Sequence, residues 1–442
     1  MRILIISESF LPKVDGVTRT IAKLLEHLER QNHQVMLFCP DNGETTYAGA
    51  ELVGTGGLPF LPYPELKLNL WRPTFTKKLL AFQPQVIHLV DPVWLGAAAL
   101  AVLKLFQKNQ VGNIPIVSSY HTNLATYCTH FGWGIFTPLM WRWNQFCHSY
   151  CRYTVCPSQS TREMLWAHGF KNVRLWQRGV DMNLFSPALR SNELRAQWMG
   201  LTDDDDDIIN KTIILYVGRV SYEKNLGLVV DTYKQMDHSK CHLVIVGHGP
   251  AFDPIQQSCL ASGTPVTFTG YLYGTNLATA FASADFFAFP STTETFGQVI
   301  LEAMASGLPV SGLLAEGVRD LVQQDETGLL LDITNLTYEE QCVKYKQCWM
   351  KLINNPQHRK LMGENALESA KQYTWPRAME HMVQVYRDAI GDQGTTNTTG
   401  TEDDEDSGVE EDFSFMDDDN MNEATTNLLK KKPLNNETLI RA

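Results

Sequence analysis

A chain of 442 residues, 44% of them apolar, is long enough for two domains with cores of their own. Its formal charge of −12 is uneven: residues 401–442 hold thirteen acids and four bases, so the rest is near neutral and offers no basic face of the kind nucleic-acid binders use. Nine scattered cysteines without C-x2-C pairs fit a reducing compartment better than a disulfide framework or a metal site. The chain has no run of 18 or more apolar residues, and Met1-Arg2 leads straight into an apolar run. The expectation is therefore a cytoplasmic protein with no membrane span and no signal peptide.

Ile3 to Ile6 reads as a buried first strand, followed by a loop with Asp15-Gly16 and a helix from about Val17 to Arg30. The helix carries an apolar stripe of Ile21, Leu24, Leu25 and Leu28. Strand, glycine loop and helix make the opening unit of a doubly wound domain, which binds ligands at the carboxyl ends of its strands. Gly16 is thus a candidate for close backbone approach to a phosphate. Val35 to Cys39 is the second strand. Residues 40–75, rich in glycine and proline, read as a long surface excursion whose Tyr63, Lys67, Trp71 and Arg72 suit an acceptor or a membrane surface. Val86 to Val90 and Ile116 to Tyr120 are further strands, and the second delivers His121. From Ile135 to Tyr153 the pattern is helical, with Phe136, Leu139, Met140, Trp143, Phe146, Cys147 and Tyr150 at spacings of three and four. This is either a core helix or, with Arg142 and Arg152 alongside, an amphipathic face for an acceptor or membrane. RLWQRGVD, 174–181, closes the first domain, and the run Asp203 to Asp207 reads as a solvated loop.

A second strand-and-turn series restarts at Ile213, where a strand ends in Gly218-Arg219 and Glu223-Lys224 opens a helix. A guanidinium and an ammonium five residues apart around a glycine turn can grip a diphosphate from two sides. Strands follow at His242 to Val246 and at 266–272, then a helix from Leu277 to Ala284. Phe286 to Phe289 is a buried strand that turns at Glu294-Thr295-Phe296-Gly297 into a helix stopped by Gly307-Leu308-Pro309. Glu294 at the helix entrance and Glu302 inside it are eight residues apart, a little over two turns, so both can lie on one face. Residues 392–442, acidic and poor in apolar side chains, are expected to be disordered, with Lys430-Lys431-Lys432 solvated.

E-x7-E after a strand, with Gly297 between the acids and EAMASGLPV after the first of them, resembles the donor-sugar motif of glycosyltransferase family 4. SYHT at His121, GVD at 179–181, G-R-x4-K at Gly218 to Lys224 and Gly317 after the second acid extend the resemblance over about residues 1–390. Where the family often has paired glycines, this chain has Asp15-Gly16 and Glu316-Gly317. The resemblance implies an α/β GT-B fold, with two Rossmann-like doubly wound domains facing across a cleft. The expected parts are an acceptor domain (1–184), a linker (185–211), a donor domain (212–370), a return helix packing on the first domain (371–391) and the tail (392–442). It implies a retaining hexosyltransferase that needs no metal and no cofactor. His121, Arg219, Lys224 and Glu294 would be catalytic; Gly16, Gly218, Tyr271, Thr295, Phe296, Gly297 and Glu302 would bind the donor. FLPKVDG, LPYPELKL, LWQRGVD and FASADFFAFPSTTETFG are most similar to the sulfolipid synthases, which move sulfoquinovose from UDP onto diacylglycerol. EGVRDLV leans toward the GDP-mannose-dependent α-mannosyltransferases, so the first expectation is transfer of sulfoquinovose from UDP-sulfoquinovose to diacylglycerol and the second is transfer of mannose from GDP-mannose. The expected partners are a UDP- or GDP-linked sugar and a diacylglycerol-like lipid acceptor met by peripheral contact with a membrane, and no nucleic acid. A non-catalytic scaffold on the same fold is the reading from a different class.

Overall fold

The computed structural model describes residues 1–13, 15–60, 63–107, 114–130, 134–201 and 210–391. The acidic tail, its lysine triplet and the run Asp203 to Asp207 lie outside the described residues. Strands appear in chain order as β1 (Arg2–Ser7), β2 (Gln34–Pro40), β3 (Thr46–Tyr47), β4 (Ala50–Thr55), β5 (Gly57–Phe60), β6 (Tyr63–Asn69), β7 (Val86–Val90), β8 (Ile116–Ser119), β9 (Tyr153–Cys156) and β10 (Val173–Leu175). Eight of them form one sheet in the order β10-β9-β8-β7-β1-β2-β4-β3, while β5 and β6 pair as a separate hairpin. The central strands pair in parallel and are buried on both faces, which is why Ile3 to Ile6 is an unbroken apolar run and Val86 to Val90 is apolar except for the buried His88.

A second sheet follows, from β11 (Thr212–Val217), β12 (Cys241–Val246), β13 (Val266–Gly270), β14 (Phe286–Phe289), β15 (Val310–Leu313) and β16 (Gly328–Leu331). Its order is β13-β12-β11-β14-β15-β16, parallel throughout. Both sheets are doubly wound. The strand order reverses between β1 and β7 in the first sheet and between β11 and β14 in the second. Ligands sit at such switch points, beyond the carboxyl ends of the strands.

Two sequence expectations need correction, and of the two readings of 135–153 the core helix is ruled out. The excursion at 40–75 is not an open loop, because β4 joins the first sheet beside β2. Only Ala50, Leu52 and Thr55 of β4 are buried, too few positions for alternation to show among Gly49, Gly54, Gly56 and Gly57. The helix Thr137–Ser149 turns inward with Asn144, Cys147 and His148. Ile135, Phe136, Leu139, Trp143, Phe146 and Tyr150 remain exposed, so the stripe that reads as a core face is a surface. Lys224 does not open an α-helix: Tyr222–Lys224 is a 3-10 turn, and left-handed Asn225 resets the chain before the helix Leu226–Tyr233.

The segment expected to link the domains carries a helix, Asn192–Met199, whose Trp198 is buried in the core of the second sheet. Arg195 anchors it through Asp285 at 2.9 Å and the carbonyls of Ser283 and Lys211 at 2.7 and 2.8 Å. The chain then crosses between the sheets twice at one place. Val180 pairs with Thr374, and the Val180 N–H donates to the Tyr373 carbonyl at 2.9 Å. Gly179 lies so close to the Trp375 backbone that a Cβ has no room there. Beyond it the helix Trp375–Gly391 lays Met379, Met382, Val383 and Tyr386 into the core of the first sheet.

Candidate active site

The loops at the two switch points supply the site. Gly16 follows β1, Asp91 follows β7, Gly218-Arg219 follows β11 and Pro290 to Glu294 follow β14. Asp15 caps the helix Gly16–Arg30 by accepting from the Thr18 N–H at 2.8 Å. Asp91, in a left-handed conformation that aspartate tolerates, accepts from the backbone N–H of His121 at 2.7 Å and from the Thr122 hydroxyl at 2.9 Å. Burial pushes the Asp91 carboxyl up to about 6, against the pull of those hydrogen bonds.

Asp91 thereby fixes His121 beside the second sheet, where the His121 carbonyl accepts from the Thr295 hydroxyl at 2.7 Å. The His121 ring is buried edge-on to Trp176, with centroids 5.5 Å apart, and neither ring nitrogen has a hydrogen-bond partner among the described residues. Burial first, and then the Arg178 guanidinium, hold its pKa well below the usual imidazole range, so the ring is neutral near pH 7.

Lys224 and Glu294 meet at 2.5 Å, each about four-fifths buried. Ser291 also donates to Glu294, at 3.3 Å. Burial alone would raise the Glu294 pKa, but Lys224 and then Arg178 outweigh it and hold the carboxyl below its ordinary range. Gly297, at φ 89°, turns the chain from Glu294 into the helix Gln298–Ala305. The two acids consequently do not share a helical face. Glu294 lies in the turn facing Lys224, whereas Glu302 lies in the helix and pairs with Arg19 of the first sheet's leading helix at 2.5 Å. Burial raises the Glu302 pKa, and Arg19 only partly offsets it.

Arg178 is the residue that sequence reading missed. It is 7% exposed, and its Nε has no partner among the described residues. Its guanidinium lies 5.8 Å from the Phe296 ring centroid and close enough to Gly16 that a Cβ there would strike Nη1. Burial lowers its pKa, countered by Glu294, Asp15 and Asp91 in that order. The available signal was Trp176-x-Arg178 just past the edge strand β10, two positions of one parity, of which only the tryptophan invited burial. Of the other expected residues, Gly218 donates its N–H to Val246, and the Arg219 carbonyl accepts from the Tyr216 hydroxyl at 3.0 Å. Tyr271 stands apart in an exposed aromatic group with His248 and Tyr273, its hydroxyl on the His248 carbonyl.

Gly317 is drawn into a contact between the sheets. Its N–H donates to the Ser160 hydroxyl at 2.9 Å, and Asp320 accepts from both the backbone N–H and the hydroxyl of Ser160. Thr161 donates to the Glu316 carboxylate at 2.8 Å. Between these contacts and Glu294 lies a small cavity lined by Asn123, Thr126, Thr292, Thr293, Glu294, Thr295 and Glu316.

Two doubly wound domains whose switch points share buried cations and an acid define a GT-B glycosyltransferase. Comparison with known proteins agrees. Residues 14–184 match the family model Glycosyltransferase Family 4, and residues 205–369 match Glycosyl transferases group 1. The chain is 36% identical over 340 residues to a GDP-mannose-dependent alpha-mannosyltransferase of Mycobacterium tuberculosis, covering 75% of this chain and 84% of that protein. It is 30% identical over 370 residues to the sulfoquinovosyl transferase SQD2 of Arabidopsis thaliana, covering 83% and 69%. An alpha-monoglucosyldiacylglycerol synthase of Streptococcus pneumoniae is 27% identical over 326 residues, covering 70% of each chain. In fold it superposes on sucrose-phosphate synthase from Thermosynechococcus elongatus with a TM-score of 0.71 at 19% identity, covering 88% and 99%. The chain belongs to glycosyltransferase family 4 and is a hexosyltransferase.

Proposed function

We propose that this enzyme transfers a hexose, with retention, from a nucleoside diphosphate sugar to a lipid hydroxyl. The observation that carries the reading is the set of buried polar groups held without partners where both switch points meet, namely the two ring nitrogens of His121 and Nε of Arg178. Leaving such groups unpaired costs about 1–3 kcal/mol each, which a bound ligand offsets.

Departure of the diphosphate leaves negative charge that must be neutralised in a dry site. Arg219 and Lys224 approach it from the donor sheet, Arg178 from the first sheet, and the N-terminus of the helix Gln298–Ala305 adds its dipole. Gly16 and Gly218 let backbone close around the phosphates, and Thr295, Phe296 and Gly297 form the floor. Glu294, kept ionised by Lys224, accepts from sugar hydroxyls, and neutral His121 donates to the sugar or the departing oxygen. A donor phosphate oxygen takes the acceptor proton, so no side chain is assigned as general base. Glu302 receives the ribose diol once Arg19 shares or yields its carboxylate. Tyr271 lies at the far edge, where a nucleobase can stack.

Mannose from GDP-mannose here takes the place of sulfoquinovose as the leading donor, because the mannosyltransferase relative is more similar than the sulfoquinovosyl transferase. Sulfoquinovose from UDP is the second reading. A diacylglycerol-like acceptor is supported by the alpha-monoglucosyldiacylglycerol synthase among the relatives. Among the described residues no helix is long and apolar enough to cross a membrane. We assign acceptor access to peripheral contact through the exposed face Ile135, Phe136, Leu139, Trp143 and Phe146, with Lys104 at 4.3 Å over the Tyr150 ring beside it.

Thermal melting with UDP, GDP, ADP and their sugars tests the reading. A ligand at about 100 times its Kd adds roughly 2.7 kcal/mol. Stabilisation by GDP and GDP-mannose is expected. A response to UDP-sulfoquinovose alone would move the assignment to the second donor, and no response to any nucleotide would leave the scaffold reading in its place.

A further inference from the structure

The cavity beside Glu294 bears on which chemical groups the site accepts, and its interpretation rests on the transferase reading. It measures about 20 Å³, room for one or two water-sized groups. Its walls come from both sheets: Asn123 and Thr126 follow β8, while Thr292, Thr293, Glu294, Thr295 and Glu316 follow β14 and β15. The lining has two carboxylates, four threonines and one asparagine, and no lysine, arginine or histidine among the described residues. The hydrogen bonds to each carboxylate fall on a single oxygen. Lys224 and Ser291 both use Oε1 of Glu294, and Thr161 uses Oε1 of Glu316. The second oxygen of each has no hydrogen bond from the described residues and can accept from an incoming donor. Thr293 Oγ1 is buried and has no partner among the described residues. Burial, reinforced by Asp320, raises the Glu316 pKa against the Thr161 hydrogen bond, so added negative charge nearby is unfavourable.

We propose that this cavity is a recognition subsite for a small neutral hydroxyl-bearing arm, such as a hydroxymethyl group, and that Glu316 is the residue that rejects an anionic arm in its place. A hydroxyl can donate to one carboxylate and accept from a threonine, satisfying both sides. A carboxylate or sulfonate on the same arm has no proton to donate and meets two like charges in a low-dielectric pocket. The arm belongs either to the donor hexose or to the polyol part of the acceptor, since loops of both sheets wall the cavity.

The test compares GDP-mannose with its 6-uronate, in which a carboxylate replaces the hydroxymethyl group, on wild type and on Glu316→Gln. Glutamine keeps the shape and the oxygen that accepts from Thr161. Wild type is expected to favour the neutral donor at least a hundredfold in kcat/KM, and Glu316→Gln to narrow that ratio at least tenfold, with its melting temperature confirming the fold. If the donor ratio holds while the variant gains on an anionic over a neutral acceptor lipid, the same chemistry is read from the acceptor. An unchanged preference for both partners in the folded variant overturns the inference, as does a wild type that uses the uronate donor and an anionic acceptor lipid as readily as their neutral counterparts. Failure of wild type to bind any nucleotide sugar is a different result, because it removes the transferase reading itself.

Discussion

Replacing Lys224 with alanine separates two roles that one ion pair combines. Lys224 and Glu294 are each about one-fifth exposed, so the pair is largely withdrawn from water. Removing one partner from a buried pair costs roughly 3–5 kcal/mol, mostly the penalty of the charge left behind, and the residual exposure puts this case near about 3. For a domain of this size that lowers the melting midpoint by roughly 6 to 12 °C. The wild-type pair holds the Glu294 pKa below its unfolded value, so its stabilisation is present above the ordinary glutamate range and is lost as pH falls through the lower folded value. The deficit of Lys224→Ala is therefore full at pH 7 and shrinks in acid. Turnover should fall about 10²- to 10³-fold through loss of charge stabilisation on the leaving diphosphate. Adding Glu294→Gln removes the stranded carboxylate and should restore most of the stability but none of the activity. Steady-state kinetics and melting curves on the two variants decide the matter. A single variant with near wild-type turnover, or a double variant that regains it, would refute the assignment.

Two other predictions concern remote parts of the molecule. His88 is buried between Tyr386 at 2.7 Å and Ser119 at 2.9 Å, and burial lowers its pKa to about 3. The unfolded chain takes up a proton below about pH 6.5 that the folded chain refuses, so this residue alone should cost about 1.4 kcal/mol of stability per pH unit of acidification. His88→Asn should flatten the pH dependence of the denaturant midpoint between pH 6 and 4 by that amount, and an unchanged slope would contradict it. Trp143→Ser combined with Phe146→Ser should reduce partition into phosphatidylcholine–phosphatidylglycerol vesicles at least tenfold while leaving nucleotide binding intact. Equal sedimentation with vesicles would rule out the exposed helix face as the membrane contact.

Much of the fold was legible because doubly buried parallel strands are short apolar runs. Val86 to Val90 and Phe286 to Phe289 could be read residue for residue. The loops at their carboxyl ends were legible for the same reason, since topology alone directs ligands there. What stayed hidden depends on the other sheet. The pattern of the helix Thr137–Ser149 is equally that of a core helix, and only the packing of its neighbours decides which stripe faces inward. Arg178 and Arg19 matter through partners more than a hundred residues away, Glu294 and Glu302, and no local period encodes such a meeting. Glu294 at the helix entrance and Glu302 inside it could have shared one face, but left-handed Gly297 turns Glu294 away from the helix that carries Glu302.

The return helix Trp375–Gly391 has a consequence for how the molecule is made. Met379, Met382 and Val383 are at most 1% exposed and share a core with strands and a helix drawn from the first 176 residues. A ribosome delivers those early elements long before it delivers their cover, with an entire second domain synthesised in between. The amino-terminal half thus leaves the exit tunnel with an apolar face uncovered, and it can finish folding only after its neighbour has been made. Release of this helix closes the first core just after the pairing of Val180 with Thr374 is made, so completion of one half and its coupling to the other are a single event.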